Sequence, residues 1–501
     1  MWMPGEFFPR FTEQRLDFME ERHSVAMQEM QSTIAQLAAR QNLSPAEDVS
    51  QPVPPDSTPA SQGQWHDSAD IVSRGIVSEN EWEELYDFFY LNCRHVTGFV
   101  DEQSYPSVDR SRQHALLSTV ICITAARAIR PEKYQTFVAE ADELLKNTFS
   151  GRPPDIHAIR AMILLTAWTG RARLWGYVVS VSAEVGLNTA ALQLGDDSVE
   201  HTADLVERAR LWFTLCCFDL VSNLNRPFVI NRMRDYAPIS KKLLTSPFSR
   251  PVDYRICAYI EAFTIAANAK AQVPKSQLHL NPLQQEDVDL LKSFDQQLDH
   301  WFYSISNTIE PLYQTFANKQ DRNRFLAPYT FLKIYINGFA MHGMLPLGDV
   351  PDPNRLSFIQ EALDNAVLLL QTQFESPVFR HQLRYTIDYN GITTYHAINF
   401  ILKAMTVAHI FLNYGKVFLA LGQAAHMFEE AGAVDAAKEV RQEQERLALL
   451  TQTILSPLEY GGDAPPDPAL EGSTALFDIP SFLDVATWDE FFPTLDLYML
   501  E

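Results

Sequence analysis

A chain of 501 residues with 63 acidic against 40 basic side chains has a formal net charge of −23. Such a charge repels phosphate backbones and excludes nucleic-acid binding through general electrostatics; Lys241-Lys242 is a lone basic pair, not a basic face. Hydrophobic residues make up 46%, enough for a sizeable core, and the length implies two or more units or one large one with tails.

The opening MWMPGEFFPR lacks the basic start and apolar stretch of a secretory signal. Residues 11–40 read as a helix with a seam of Leu16, Glu20, His23, Met27, Met30, Ile34 and Leu37, in alternating steps of four and three. Its C-terminal half, Met27, Met30, Ile34 and Leu37, predicts a short dimeric coiled coil and thus a homodimer. A helix docked on its own domain is the alternative. Residues 41–78 are rich in Pro, Ser and Gln and read as a flexible linker.

From 79 to 455 the pattern is helical almost throughout. Ser78 caps a helix with acidic first turns and Trp82, Leu85 and Phe89 at helical spacing. A buried helix follows, stopped by Pro131; the next starts at Asp155 and ends near Gly170; another is ended by Gly186. Then Leu211–Val221 carries only Thr214 and Asp219 as polar side chains, so it is a central helix buried on most sides. Further helices are predicted near 253–272, 286–308, 323–343, 355–372, 391–423 and 434–455. Alternating strand patterns are nearly absent, so the fold class is all-α, a large bundle of antiparallel helices. The longest apolar run, Ala404–Gly415, lies between Lys403 and Lys416 and is too short for a bilayer, which needs ~20 residues. The expectation is a soluble, intracellular chain that meets no membrane.

The segment 456–501 differs from the rest. After Arg446 there is no Lys or Arg, and Phe477, Phe482, Trp488, Phe491, Phe492, Leu495 and Leu497 alternate with Asp478, Asp484, Asp489, Glu490 and Asp496. That interleaving is the composition of acidic activation segments. On meeting a coactivator, Phe482–Phe492 can fold as a helix with Phe482, Val485, Trp488 and Phe492 on one face. A C-terminal helix docked on the chain's own core is the alternative.

Enzyme motifs are weak. Asp196–Glu200, DDSVE, fits the aspartate-rich pattern that holds magnesium in all-α terpene cyclases, but the second metal motif is absent and an acidic helix start explains it better. The thirteen histidines belong to no nucleophile motif. Cys93, Cys122, Cys216, Cys217 and Cys257 show no CxxC spacing, suit a reducing compartment and read as core residues. No catalytic residue, metal ligand or cofactor is therefore assigned. Arg208 and Arg210 sit at a helix start, where a cation gains nothing from the dipole, so they should pair with acids of neighbouring helices. Asp219, among apolar residues, needs a partner; Arg226 or one of the earlier arginines is the expected one.

Glu207–Pro227, ERARLWFTLCCFDLVSNLNRP, resembles the signature of the fungal-specific transcription factor domain, the helical middle region of fungal zinc binuclear cluster regulators. The matching positions are Arg208, Arg210, Trp212-Phe213, Asp219, Ser222 and Asn225-Arg226-Pro227, with Asn225 where the family has Gly; both residues tolerate a left-handed turn. Trp175, Ala183, Gly186, Leu187 and Asn188 resemble the preceding family helix, and residues 84–107 its opening, with Thr97-Gly98 where Pro is common. The resemblance covers roughly residues 80–350. It implies a nuclear regulator of RNA polymerase II genes, with a regulatory middle domain and an acidic tail that meets coactivators. The family reads DNA through six cysteines holding two zinc ions, yet the first cysteine here is Cys93, inside the middle region. The preferred expectation is a native start upstream of Met1 with the zinc cluster there. The alternative is a co-regulator that contacts no DNA and dimerises with a full-length relative; an all-α enzyme ranks third.

Overall fold

The structure, a computed structural model, describes residues 70–459 except 95–97, 101–103, 106, 150–152, 170, 225–232, 274–277, 310–323, 345–351, 386–387 and 408–413. The helix predicted at 11–40, most of the linker, and nearly all of the tail lie outside the described residues. Within them the fold is all-α, with no strand.

Helix α1 (Glu79–Asn92) is started by Ser78, whose side chain accepts from the Glu81 amide, with Glu79 and Glu81 complementing the dipole. Its core face is Trp82, Leu85, Tyr86 and Phe89, a 3–4 periodic stripe. A short turn of helix, α2 (Val108–Arg112), precedes α3 (Ala115–Ile129), in which every residue from Leu116 to Ala126 is buried. Such a helix has neighbours on all sides: α1, α4 (Tyr134–Lys146) and α5 (Ile156–Thr169) pack on it. Asp155 accepts from the Ala158 amide at 2.8 Å and caps α5. The order is up-down-up, since Arg127 of α3 reaches the Trp168 carbonyl near the far end of α5 while His114 meets His157 at its start. Helices α6 (Ala172–Glu184) and α7 (Leu187–Gly195) are joined through Gly186, whose φ of +78° suits a residue without a Cβ. Next comes α8 (Ala203–Leu224), the predicted central helix.

After the short helices α9 (Ala237–Ser240) and α10 (Lys242–Thr245), the second half contains α11 (Pro251–Gln272), α12 (Gln285–Ser304), α13 (Leu326–Gly338), α14 (Pro353–Glu375), α15 (Pro377–Leu383), α16 (Asp388–Val407), α17 (Tyr414–Ala431) and α18 (Val434–Glu459). The stretch expected as one helix at 391–423 is covered by α16 and α17, and residues 408–413 between them lie outside the described residues. Consecutive helices run antiparallel where the connection is short, as in α17 and α18, tied by Arg441 to Glu429 and by Gln444 to the Phe418 carbonyl. The pair α8 and α11 departs from that rule. Arg210 meets Asp253 and Cys217 meets the Ile256 carbonyl, so the two run the same way, which the long connection between them permits.

The folded body starts earlier than the linker reading of 41–78 placed it. The Asp70 carboxylate accepts from the Val72 and Ser73 amides at 2.9 and 3.1 Å, while Ile71 and Val77 are buried in the core. Residues 71–77, IVSRGIV, carry the apolar side chains that make this possible; the Pro- and Ser-rich stretch before them hid that change.

Candidate functional site

Helix α8 is the structural centre of the resemblance. Thr202 accepts from the Leu205 amide at 3.2 Å to start it. Ala209, Leu211, Trp212, Phe213, Leu215 and Cys216 are all buried, because α5, α6, α7 and α11 pack around it. At its far end the Tyr335 hydroxyl of α13 donates to the Leu224 carbonyl at 2.8 Å, satisfying one of the terminal carbonyls that a helix leaves open.

The start of α8 carries a buried charged cluster. Arg210 is 1% exposed and Asp253 fully buried. Arg210 donates to both oxygens of Asp253 at 2.6 and 3.0 Å, to Glu207 at 2.7 Å and to the Phe248 carbonyl at 2.8 Å. Asp253 also caps its own helix, accepting from the Arg250 amide at 2.7 Å. Glu207 is gripped by three guanidiniums, from Arg210, Arg250 at 2.9 Å and Arg160 at 2.5 Å. Arg160 also donates to the Tyr105 hydroxyl at 3.3 Å, which lies 2.7 Å from Nδ1 of His157. His157 stacks on His114 with ring centroids 3.7 Å apart. Burial and then His114 hold the His157 imidazole down to about 3, so it is neutral and can accept the tyrosine proton. In the Arg210–Asp253 pair, burial wins on the acid, raising its carboxyl, while on the base the pull of Asp253 and Glu207 outweighs burial and raises the guanidinium. The arrangement ties α5, α8 and α11 together: each carboxylate is held by guanidiniums, in the manner of a lock rather than of an acid or base awaiting a substrate.

The other predicted residues separate. Arg208 donates to the Val185 carbonyl at the end of α6, not to an acid. Asp219 is 3% exposed and accepts from the Trp175 indole at 3.0 Å, so a neutral donor from α6 shares the role expected of an arginine. Trp175 and Asp219 both belong to the resemblance, and the structure brings them together. Trp212 packs edge-on to Tyr236 at 5.5 Å. Ser222 lies in the last turn of α8, while Asn225, Arg226 and Pro227 fall outside the described residues. So do the dimerisation residues Met27, Met30, Ile34 and Leu37 and the tail residues Phe482, Trp488, Phe491 and Phe492.

The acidic run 196–200 forms the turn before α8. Asp196 accepts from the Ser198 amide and hydroxyl, and Asp197 meets Lys242 at 2.5 Å. Among the described residues no group of three or more His, Cys, Asp or Glu side chains is placed to hold a metal ion, and burial pushes the thiols of Cys93 and Cys257 up to about 12 and raises those of Cys122 and Cys216. Among the described residues no helix is long and apolar enough to cross a membrane.

The chain is similar to a fungal transcriptional activator. It is 22% identical over 374 residues to the transcriptional activator of proteases prtT of Emericella nidulans, covering 70% of this chain and 53% of that protein. It is 23% identical over 244 residues to the protein priB of Lentinula edodes, covering 46% of this chain and 40% of that one. The chain thus spans about half the length of the curated relatives it matches. No family model and no solved structure matches it.

Sequence reasoning missed Glu207 and Asp253 as partners of Arg210, and Arg160 as a partner of Glu207. A signal was present for Arg160, a lone charge in the apolar run Ile156–Leu165. Asp253, three residues beyond Arg250 at a Pro-led helix start, carried a capping signal.

Proposed function

We propose that this chain is the regulatory and effector part of a fungal transcription regulator of the zinc binuclear cluster class, acting in the nucleus as an activator of RNA polymerase II genes. The observation that carries the reading is the similarity to a transcriptional activator over 70% of the chain. In this reading the helical body is the regulatory domain, the segment around 11–40 pairs two copies, and the acidic-aromatic tail from 456 contacts coactivators. On this reading DNA contact comes through zinc-bound cysteines carried outside residues 1–501 or through a partner chain, since the five cysteines here do not form the six-cysteine pattern of the resembled family.

The test is tethering. The full chain, and separately residues 474–501, are fused to a foreign DNA-binding domain upstream of a reporter. Both should raise reporter output, and Trp488→Ala with Phe492→Ala should lower it. Unchanged output from both fusions overturns the activator reading.

A further inference from the structure

Five hydroxyl side chains stand directly before a proline: Ser44, Thr58, Ser246, Ser376 and Ser456. Ser44 and Thr58 lie outside the described residues, and Ser456 lies within helix α18. Ser246 is 6% exposed. Ser376 differs from these. It joins α14 to α15 in extended backbone, with φ −86° and ψ 105°, as a residue before proline prefers. Ser376 is half-buried and Pro377 exposed. The Ser376 hydroxyl accepts from the Phe379 amide at 3.2 Å. Helix α15 is held lightly. None of its seven residues is fully buried. One flank borders a groove of about 470 Å³ between α1 and α3 on one side and α15 and α17 on the other, with Phe88 and Tyr385 at its floor. Phe379 and Leu383 rest half-buried on the core, and Arg380 Nη1 meets both oxygens of Glu430 on α17 at 3.2 Å. An element with so little buried surface opens locally at small cost.

We propose that Ser376 is a phosphorylation site for a proline-directed protein kinase, and that its phosphate takes Arg380 from Glu430. Such a kinase needs the hydroxyl in an extended segment with the proline within reach, and the start of α15 supplies both. In the transfer, Ser376 Oγ attacks the γ-phosphorus of a nucleoside triphosphate. The bond from that phosphorus to the β–γ bridging oxygen breaks, the nucleoside diphosphate leaves, and the serine proton passes to the kinase's catalytic carboxylate. The phosphoserine carries about −1.5 to −2 charge at neutral pH. Arg380 lies one turn on. Its amide donates to the Ser376 carbonyl at 3.1 Å, which sets the two side chains on one face. Its buried Nε has no hydrogen-bond partner among the described residues, so the guanidinium has a donor to offer. A phosphate brings more charge than the single carboxylate of Glu430 and three strong acceptors, from the same short segment, so Arg380 changes partner. Glu430 is left with His426, whose Nε2 is 3.5 Å away, and the tie between α15 and α17 is lost.

The site does not depend on the chain's activating transcription, so its test reads the chain alone. The full-length folded protein, and a synthetic peptide of residues 370–384, are incubated with ATP and a mitogen-activated or cyclin-dependent protein kinase, and occupancy is mapped by mass spectrometry. Both should carry phosphate on Ser376, Ser246 in the folded chain should carry at least about tenfold less, and Ser376→Ala should lose the phosphate at that position. Hydrogen exchange then reads the change of partner. Phosphorylation should speed amide exchange over residues 426–431 about threefold, the effect of one lost half-exposed ion pair. Arg380→Gln should show the faster exchange beforehand and no further change on phosphorylation. A folded chain left unmodified, whether or not the peptide is modified, overturns the proposal. So does modification of Ser246 as readily as Ser376, or exchange over 426–431 that phosphorylation leaves unchanged.

Discussion

Replacing Arg210 with methionine removes the guanidinium that joins α8 to α11 and leaves two carboxylates behind. Asp253, fully buried, loses both of its contacts with Arg210 and keeps the Arg250 amide; Glu207 keeps Arg160 and Arg250. Breaking one side of a buried pair costs ~3–5 kcal/mol, because the remaining charge stays desolvated. The four bonds of Arg210 do not simply add, since both acids retain other donors. We place Arg210→Met at about 4 kcal/mol. Adding Asp253→Leu removes the stranded charge and should bring the total down to about 2 kcal/mol, most of what is left being the lost cap of α11. For a cooperative unit of this size the unfolding entropy is roughly 0.8 kcal/mol/K, so the single variant should melt about 5 °C lower. Thermal melting followed by circular dichroism, with urea titration of tryptophan fluorescence, measures both variants. A cost under about 1 kcal/mol for the single variant, or a double variant less stable than the single one, refutes the lock.

Acidification should weaken the fold through histidines held neutral. Burial holds His157 and His396 down to about 3 and about 4, while the unfolded chain binds their protons near the ordinary 6.5. Stability is therefore fully present above 6.5 and falls as the pH drops toward 4; the urea midpoint should track this, and His396→Phe should flatten the slope. A midpoint that rises on acidification over that range contradicts it. Trp175→Phe removes the indole donor from Asp219 and should cost about 1–3 kcal/mol, read by urea unfolding, whereas Trp175→Phe with Asp219→Leu should recover part of that loss. Arg355, 2% exposed, donates to the carbonyls of Leu278, Leu280, Ala340 and His342. Lysine offers three donors from a single point and cannot span them, so Arg355→Lys should cost about 3 kcal/mol and speed amide exchange around 278–280 and 340–342, the segments it joins.

The helical content, the starts of α1 and α5, and the buried nature of α8 were legible from local signals: Ser78 and Asp155 before apolar periods, and eleven residues of α8 with two polar side chains. Periodicity and capping act over a few residues, so a single chain displays them. The folding of residues 70–78 escaped because composition averages over the residues that decide it.

By itself, the sequence determined that the chain is all-α, that α8 is central, and that its charges must find partners. Which partners they find was decided only by the tertiary structure. Arg210 meets Asp253 across 43 positions, Arg160 meets Glu207 across 47, Asp219 meets an indole rather than only a charge, and Phe88 joins Tyr385 at the floor of the groove. A buried charge has the same need for a partner wherever it lies in the chain. The packing of helices distant in sequence determines which donors are close enough to meet it.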